Sequence, residues 1–193
     1  MLNYLPEISL DEVATQVFQF RCLDESEAHE VLLQVKQLDC WQSAPVRKGR
    51  HENSMIKLDE ESRAAREIHS SQSPQLFSHF EGKIKAAVAR AAEQLGATQL
   101  EPSELRLVCY EEGGFFKVHS DTGAGDRRHF AIVVYLNNDF EGGATIFPLL
   151  GCKIKPEPGK AIIFPADKLH RGDTVTGGSK YIAVMWLLDP LST

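Results

Sequence analysis

The chain has 193 residues, 42% of them hydrophobic and 25% charged, a makeup that fits one soluble domain with a full core and excludes a disordered or fibrous chain. Its formal charge of -6 repels a phosphate backbone, and no cluster of Lys and Arg interleaved with aromatics makes a local exception, so no nucleic-acid partner is expected. The start, "MLNYLPEISLDEV", has no basic region leading into a long apolar core, and the runs "AIVVYL" and "IAVMWLL" fall well short of the about 18 residues of a membrane span, so a cytoplasmic protein with no membrane segment is expected.

In chain order, the first strong signal is helical. Asp24 with Glu27 forms a capping-box pattern, and Ala28, Val31, Leu32, Val35 and Leu38 then recur on one face. The polar stretch after Trp41 reads as a long loop or a pair of ragged strands. A second helix is expected from Ser73 as cap and Pro74 in the first turn, through "LFSHFEGKIKAAVARAAEQL", to a stop at Gly96. Residues 1–96 are therefore expected to be mainly helical.

After Gly96 the texture changes to short apolar runs bounded by Gly, Pro, Asn and Asp: "ELRLVCY", "FFKVHSD", "RHFAIVVYLN", "GATIFP", "CKIKP", "KAIIFP", "LHRGDTV" and "KYIAVMWLL". Closely spaced runs of this kind predict a sandwich or barrel. No repeat or linker divides the chain, so one α+β, mainly β domain over 1–193 is expected, its helices packed on one sheet. Cys22, Cys40, Cys109 and Cys152 form no CxxC and are expected to be reduced thiols.

Three polar residues interrupt these strands. His119 and Asp121, two apart, share a face of an extended segment, and His170 lies further downstream. Two imidazoles and one carboxylate, leaving coordination positions open, suit non-haem Fe(II). Each histidine by itself also fits a hydrogen-bonded structural residue. Lys180 shares the inward face of its strand with Ile182, Val184 and Trp186. It either meets an anion there or lies at the strand mouth with its ammonium in water. The "TVTGGS" turn predicts a hairpin between the His170 and Lys180 strands. Tyr110 either donates a phenolic hydrogen bond to the same anion or is a core ring. Gly142 and Gly143 suit a tight turn where a strand re-enters the sheet.

From about Leu105 to Pro190 the chain resembles the 2-oxoglutarate and Fe(II)-dependent dioxygenases, in their prolyl 4-hydroxylase-like branch. The matching pieces are the Tyr110, His119 and Asp121 spacing, "YLNNDFEGGATIFP", the run from Pro156 to Pro165, and His170 with Lys180. The resemblance implies a double-stranded β-helix of jelly-roll or cupin-like type with supporting N-terminal helices, residues 97–193 forming the catalytic core. It also implies that His119, Asp121 and His170 bind Fe(II), that Lys180 binds the distal carboxylate of 2-oxoglutarate, and that Tyr110 assists. O2 is the implied oxidant and L-ascorbate an auxiliary reductant.

The activity implied is hydroxylation of a prolyl residue, a free amino acid or an amino-acid-derived small molecule, with release of succinate and CO2. The alternatives are desaturation, cyclisation or epimerisation at the same iron, or a non-catalytic ligand-binding barrel. Trp186 resembles an aromatic beside the site in oxygen-sensing relatives, and fits equally as core filler. Arg127, Arg128 and His129 are expected to contact substrate or support the ligands, His129 being a rival ligand. The segment from Arg47 to Lys57 matches in position one that closes over substrate in relatives, with Arg50 or His51 touching it. His29, His69 and His79 are expected at the surface.

Overall fold

The structure, a computed structural model, describes residues 8–48, 55–123 and 125–191. Two antiparallel sheets face each other and two helices cover the outer side of the larger one. That sheet has nine strands; in order across it run Asp11–Ala14, Val17–Arg21, Lys160–Pro165, Arg128–Tyr135, Lys180–Leu188, Arg106–Tyr110, Arg66–His69 and Gln42–Ser43, with Glu101–Pro102 also on Lys180–Leu188. The smaller sheet has five: Cys152–Ile154, Thr145–Phe147, His170–Gly172, Phe115–His119 and Arg63–Ala64. This is the two-sheet arrangement the C-terminal runs predict and the double-stranded β-helix the family resemblance implies.

Alternation explains why the central strands are apolar throughout. In Arg128–Tyr135, Ile132 and Val134 face the helices, while Ala131, Val133 and Tyr135 face the second sheet. The Lys180–Leu188 strand divides likewise, Ala183, Met185 and Leu187 on one side and Ile182 and Trp186 on the other. Both faces are buried, so both select hydrophobic side chains.

Helix α1, Glu25–Val35, starts at the expected capping box, with Asp24 accepting from the Glu27 N–H and Glu27 accepting from the Asp24 N–H. Helix α2, Pro74–Gln94, has Pro74 at its first position, but the Ser73 side chain makes no capping bond. Gly96 ends it in the left-handed region at φ 68, and the Ala97 N–H reaches back to the Ala92 carbonyl, as a Schellman turn requires. Phe77, Phe80, Ile84, Val88 and Ala91 of α2 are buried, each large side chain contributing about 1.5–3 kcal/mol.

Two expectations are corrected. The segment before Gly96 is not mainly helical: Val17–Arg21 joins the large sheet beside Lys160–Pro165, and Arg66–His69 joins it beside Arg106–Tyr110. "VFQFR" and "REIH" are too short to show a period; they are tied into the sheet by partners far along the chain, and Val17–Arg21 also pairs with the adjacent Asp11–Ala14. Nor do the His170 and Lys180 strands form a hairpin. His170–Gly172 pairs with Thr145–Phe147 and Phe115–His119, whereas Lys180–Leu188 pairs in the other sheet. Between them Val175–Gly177 pairs with Glu141–Gly142, and the chain crosses from one sheet to the other. Gly142 permits this: at φ 72, a Cβ there would lie 2.2 Å from the Thr174 carbonyl oxygen.

Among the described residues, no helix is long and apolar enough to cross a membrane. The four cysteines are free.

Candidate active site

The two-sheet arrangement brings His119, Asp121 and His170 together. One ligand atom from each lies within 4.8 Å of the others. His119 and His170 are register partners on adjacent strands, so their rings sit side by side, with centroids 4.2 Å apart. Asp121 lies just past the strand end, where its N–H donates to the Ala166 carbonyl, and the carboxylate turns back towards both rings. Asp121 Oδ1 is 3.4 Å from His119 Nε2, and Oδ2 is 3.9 Å from His170 Nε2.

Both imidazoles are anchored alike. His119 Nδ1 lies 2.7 Å from the Lys117 carbonyl oxygen and His170 Nδ1 3.0 Å from that of Lys168. A carbonyl only accepts, so each Nδ1 carries a proton and each Nε2 is the nitrogen turned to Asp121 and available to a metal. Phe116 stacks on His119 with centroids 3.5 Å apart, and Phe147 and Phe164 pack on His170. Burial opposes ionisation of Asp121, but His170, His119 and the Trp186 N–H more than offset it and hold the carboxyl well below the usual range. Burial lowers the pKa of His170 despite the opposing pull of Asp121. The donor set is therefore one carboxylate and two imidazoles, which fits Fe(II).

Lys180 lies on the opposite sheet with its side chain buried between the two. It is 3% exposed. Its Nζ donates to the Gly143 carbonyl at 2.6 Å and lies 5.5 Å from the Tyr110 ring centroid and 5.7 Å from that of Tyr135. Among the described residues no carboxylate comes within ion-pairing distance of it. Burial lowers its pKa to about 8, Asp173 pulling the other way. An ammonium with two unused N–H donors in a dry, aromatic-walled space fits the carboxylate of a small anion.

Tyr110 pairs with Lys180 across the sheet and is buried. Burial raises the pKa of its phenol, with Arg63 opposing. Tyr135 is a member of this wall that sequence reasoning missed: it is fully buried, beside Lys180, and its hydroxyl donates to Thr145 Oγ1 at 2.9 Å. The signal was its place at the inward end of "AIVVY", where alternation calls for another aliphatic residue.

Trp186 is more than core filler, since its Nε1 donates to Asp121 Oδ2 at 3.0 Å. Arg128 donates to the Asp121 backbone carbonyl at 2.9 Å, and its guanidinium lies 4.0 Å from the Trp186 ring centroid. The rival ligand His129 points elsewhere: its Nδ1 lies 3.1 Å from Asp189 Oδ1 on a half-exposed surface. Arg127 is likewise engaged with the Asp189 carbonyl and Glu101. Neither converges on the three donors, because both lie where the Arg128–Tyr135 strand begins, against the chain leaving Lys180–Leu188. Arg50 and His51 lie outside the described residues. His69, expected at the surface, is half-buried between Glu67 and Glu104.

Residues 105–188 match the model of the 2OG-Fe(II) oxygenase superfamily. A putative prolyl 4-hydroxylase of Acanthamoeba polyphaga mimivirus is 32% identical over 105 residues, covering 43% of this chain and 43% of the relative. A PKHD-type hydroxylase of Hyphomonas neptunium is 32% identical over 119 residues, covering 53% and 51%. The chain thus spans about half the length, or less, of these relatives. The fold is that of a Pseudomonas putida prolyl-4-hydroxylase, with a TM-score of 0.72, 16% identity and coverage of 91% and 93%. A Trichoplax adhaerens prolyl hydroxylase gives 0.71, 14%, and 90% and 84%.

Proposed function

We propose, from the match of residues 105–188 to the 2OG-Fe(II) oxygenase superfamily and the prolyl 4-hydroxylase-like fold around them, that this chain is an Fe(II)- and 2-oxoglutarate-dependent hydroxylase. Its substrate is a prolyl residue, a free amino acid or an amino-acid-derived small molecule. The observation that carries the reading is the pairing of two features: three donor atoms within 4.8 Å of one another, His119 and His170 on adjacent strands of the smaller sheet and Asp121 just past the first, and, on the facing sheet, a buried lysine with no carboxylate in ion-pairing distance among the described residues.

His119, His170 and Asp121 would hold the metal, and Lys180 would hold the distal carboxylate of 2-oxoglutarate. With both bound, O2 converts 2-oxoglutarate to succinate and CO2, and its second oxygen atom enters a substrate C–H bond as a hydroxyl. The chain's own task is orientation. The Lys117 and Lys168 carbonyls fix the two ring planes. The Trp186 N–H fixes the carboxylate, and the Gly143 carbonyl holds the ammonium in place while leaving two of its donors for the ligand. The buried rings of Tyr110 and Tyr135 keep water from the ammonium.

The direct test is Fe(II)-dependent release of succinate from 2-oxoglutarate, followed by mass analysis of products for one added oxygen atom. A gain of oxygen supports hydroxylation, and loss of two hydrogens would identify desaturation or ring closure instead. No iron-dependent succinate under any substrate would leave a ligand-binding barrel.

Two further outcomes follow from the geometry. Trp186→Phe keeps the ring but removes the N–H donated to Asp121, and metal affinity is expected to fall about 10–100-fold, as a Mn(II) titration would read; an unchanged affinity would remove this role. The pKa of Lys180, about 8 in the ligand-free protein, sets a pH dependence. Below it the ammonium is already charged. Above it the protein must take up a proton to bind the anion, so the dissociation constant of 2-oxoglutarate should rise by roughly tenfold per pH unit. A flat profile from pH 7 to 9.5 would argue against an ammonium anchor.

A further inference from the structure

A cluster of charge lies between the two aromatics that brace the metal ligands, and neither the metal nor 2-oxoglutarate uses it. On one flank Phe116 stacks on His119, and the Arg63 guanidinium lies 4.8 Å from the Phe116 centroid. On the other flank Trp186 bonds Asp121, and the Arg106 guanidinium lies 5.0 Å from the Trp186 centroid. Both arginines converge on one carboxylate. Arg63 Nη1 is 3.3 Å from Glu67 Oε2, and Arg106 Nη1 is 3.8 Å from Glu67 Oε1.

Strand register explains why these charges point inward. Arg106, Val108 and Tyr110 share one face of their strand; Val108 and Tyr110 lie in the core between the sheets, and Glu67 is the register partner of Val108. The Glu67 side chain is 4% exposed and that of Arg63 11%. Three buried atoms of the cluster have no hydrogen-bond partner: Glu67 Oε2, Arg63 Nε and Arg106 Nε. Glu67 also receives His69, whose other nitrogen meets Glu104. Two guanidiniums face one carboxylate between the buttresses, so the trio carries one surplus positive charge, with Glu67 and Arg63 buried and the Arg106 side chain 27% exposed. Beside the trio, Arg106, Arg128 and Trp186 line a cavity of ≈ 330 Å³, together with the carboxylates of Glu104, engaged by His69 and the Ser71 N–H, and Asp126, beside Arg128; its volume is within the size range of small-molecule sites.

We propose that Arg106, oriented by Glu67 and stacked on Trp186, receives a carboxylate of the substrate, and that the substrate is a free amino acid or comparable small carboxylic acid. A carboxylate matches the planar donors of a guanidinium and neutralises the surplus charge. An internal residue of a peptide, flanked by neutral amides, offers no such group. This inference rests on the dioxygenase reading above and narrows its substrate.

The test uses the full chain with Fe(II), 2-oxoglutarate and O2. Succinate release is read without substrate, then with each free L-amino acid, its carboxamide, glycyl-L-proline, and an internal-prolyl tripeptide blocked at both ends. Binding of the same probes is measured by calorimetry on protein loaded with Mn(II) and 2-oxoglutarate. Absence of substrate-free succinate release counts against the dioxygenase reading alone, because the binding arm still decides this one. The expected result is that at least one free acid binds and stimulates turnover, and that its carboxamide binds at least about tenfold more weakly, the loss of one charge-assisted pair. Arg106→Gln should erase that acid-over-amide ratio, and Arg106→Lys should keep part of it. A ratio does not move with overall folding. Tight binding of glycyl-L-proline would keep the carboxylate role and assign it to a peptide C-terminus. A blocked tripeptide that matches every free acid, a panel in which no free acid binds, or a ratio that survives Arg106→Gln would overturn the proposal.

Discussion

Asp121→Ala should abolish iron-dependent succinate release, lowering it by about a thousandfold or more, since a catalytic metal supplies several kcal/mol of barrier lowering. Asp121 is the only anion among the three donors. Its carboxyl stays ionised although burial opposes this, because His170, His119 and the Trp186 N–H all favour the charged form. Without it, only two imidazoles remain to hold the metal, and the buried Trp186 donor loses its partner, at a cost of about 1–3 kcal/mol of fold stability. Asp121→Asn separates the two effects. It keeps an acceptor for Trp186 and removes the charge, so it should melt close to the parent protein while still failing to turn over 2-oxoglutarate. Retained activity in either variant would remove Asp121 from the ligand set.

Lys180→Met is expected to act in opposite directions on function and stability. Burial depresses the Lys180 pKa to about 8 from 10.5, so at neutral pH the fold carries a desolvated ammonium that the unfolded chain would keep in water. For a lysine with a lowered folded pKa, this cost is present at neutral pH and fades as pH rises towards the unfolded value. A methionine of similar shape removes it, and the ligand-free protein should gain about 1–2 kcal/mol after the lost bond to the Gly143 carbonyl is counted. The same change removes the anion's partner, so the 2-oxoglutarate requirement should rise at least about tenfold. Thermal melts at pH 7, with and without 2-oxoglutarate, would show the variant ahead when ligand-free and the parent ahead at saturation. An unchanged 2-oxoglutarate requirement would return Lys180 to a purely structural role.

The C-terminal strands were legible because Gly, Pro, Asn and Asp bound each apolar run, and the three metal donors because each breaks a run that packing alone would fill with Val or Leu. Lys180 stood out for the same reason. What stayed hidden depends on pairing over distance. "VFQFR" pairs locally with Asp11–Ala14 but is tied into the large sheet by Lys160–Pro165, far along the chain, and the expected hairpin fails because the chain crosses between sheets through Val175–Gly177, which pairs with Glu141–Gly142. Tyr135 was hidden because an aromatic at the end of an apolar strand looks like core. Arg63, Glu67 and Arg106 were hidden because charged residues on short strands look like solvated surface until register turns them inward. His129 and Arg127 misled by proximity in sequence; their partner Asp189 closes the far end of the same sheet.

The most direct measurement of the central claim is an anaerobic titration of the protein with Fe(II) in the presence of 2-oxoglutarate, followed by visible absorption. One iron per chain should bind, with a charge-transfer band that needs 2-oxoglutarate and is lost when His119 or His170 is replaced by alanine. A band that survives those replacements, or one that forms without 2-oxoglutarate, would contradict a single ferrous site facing a lysine anchor.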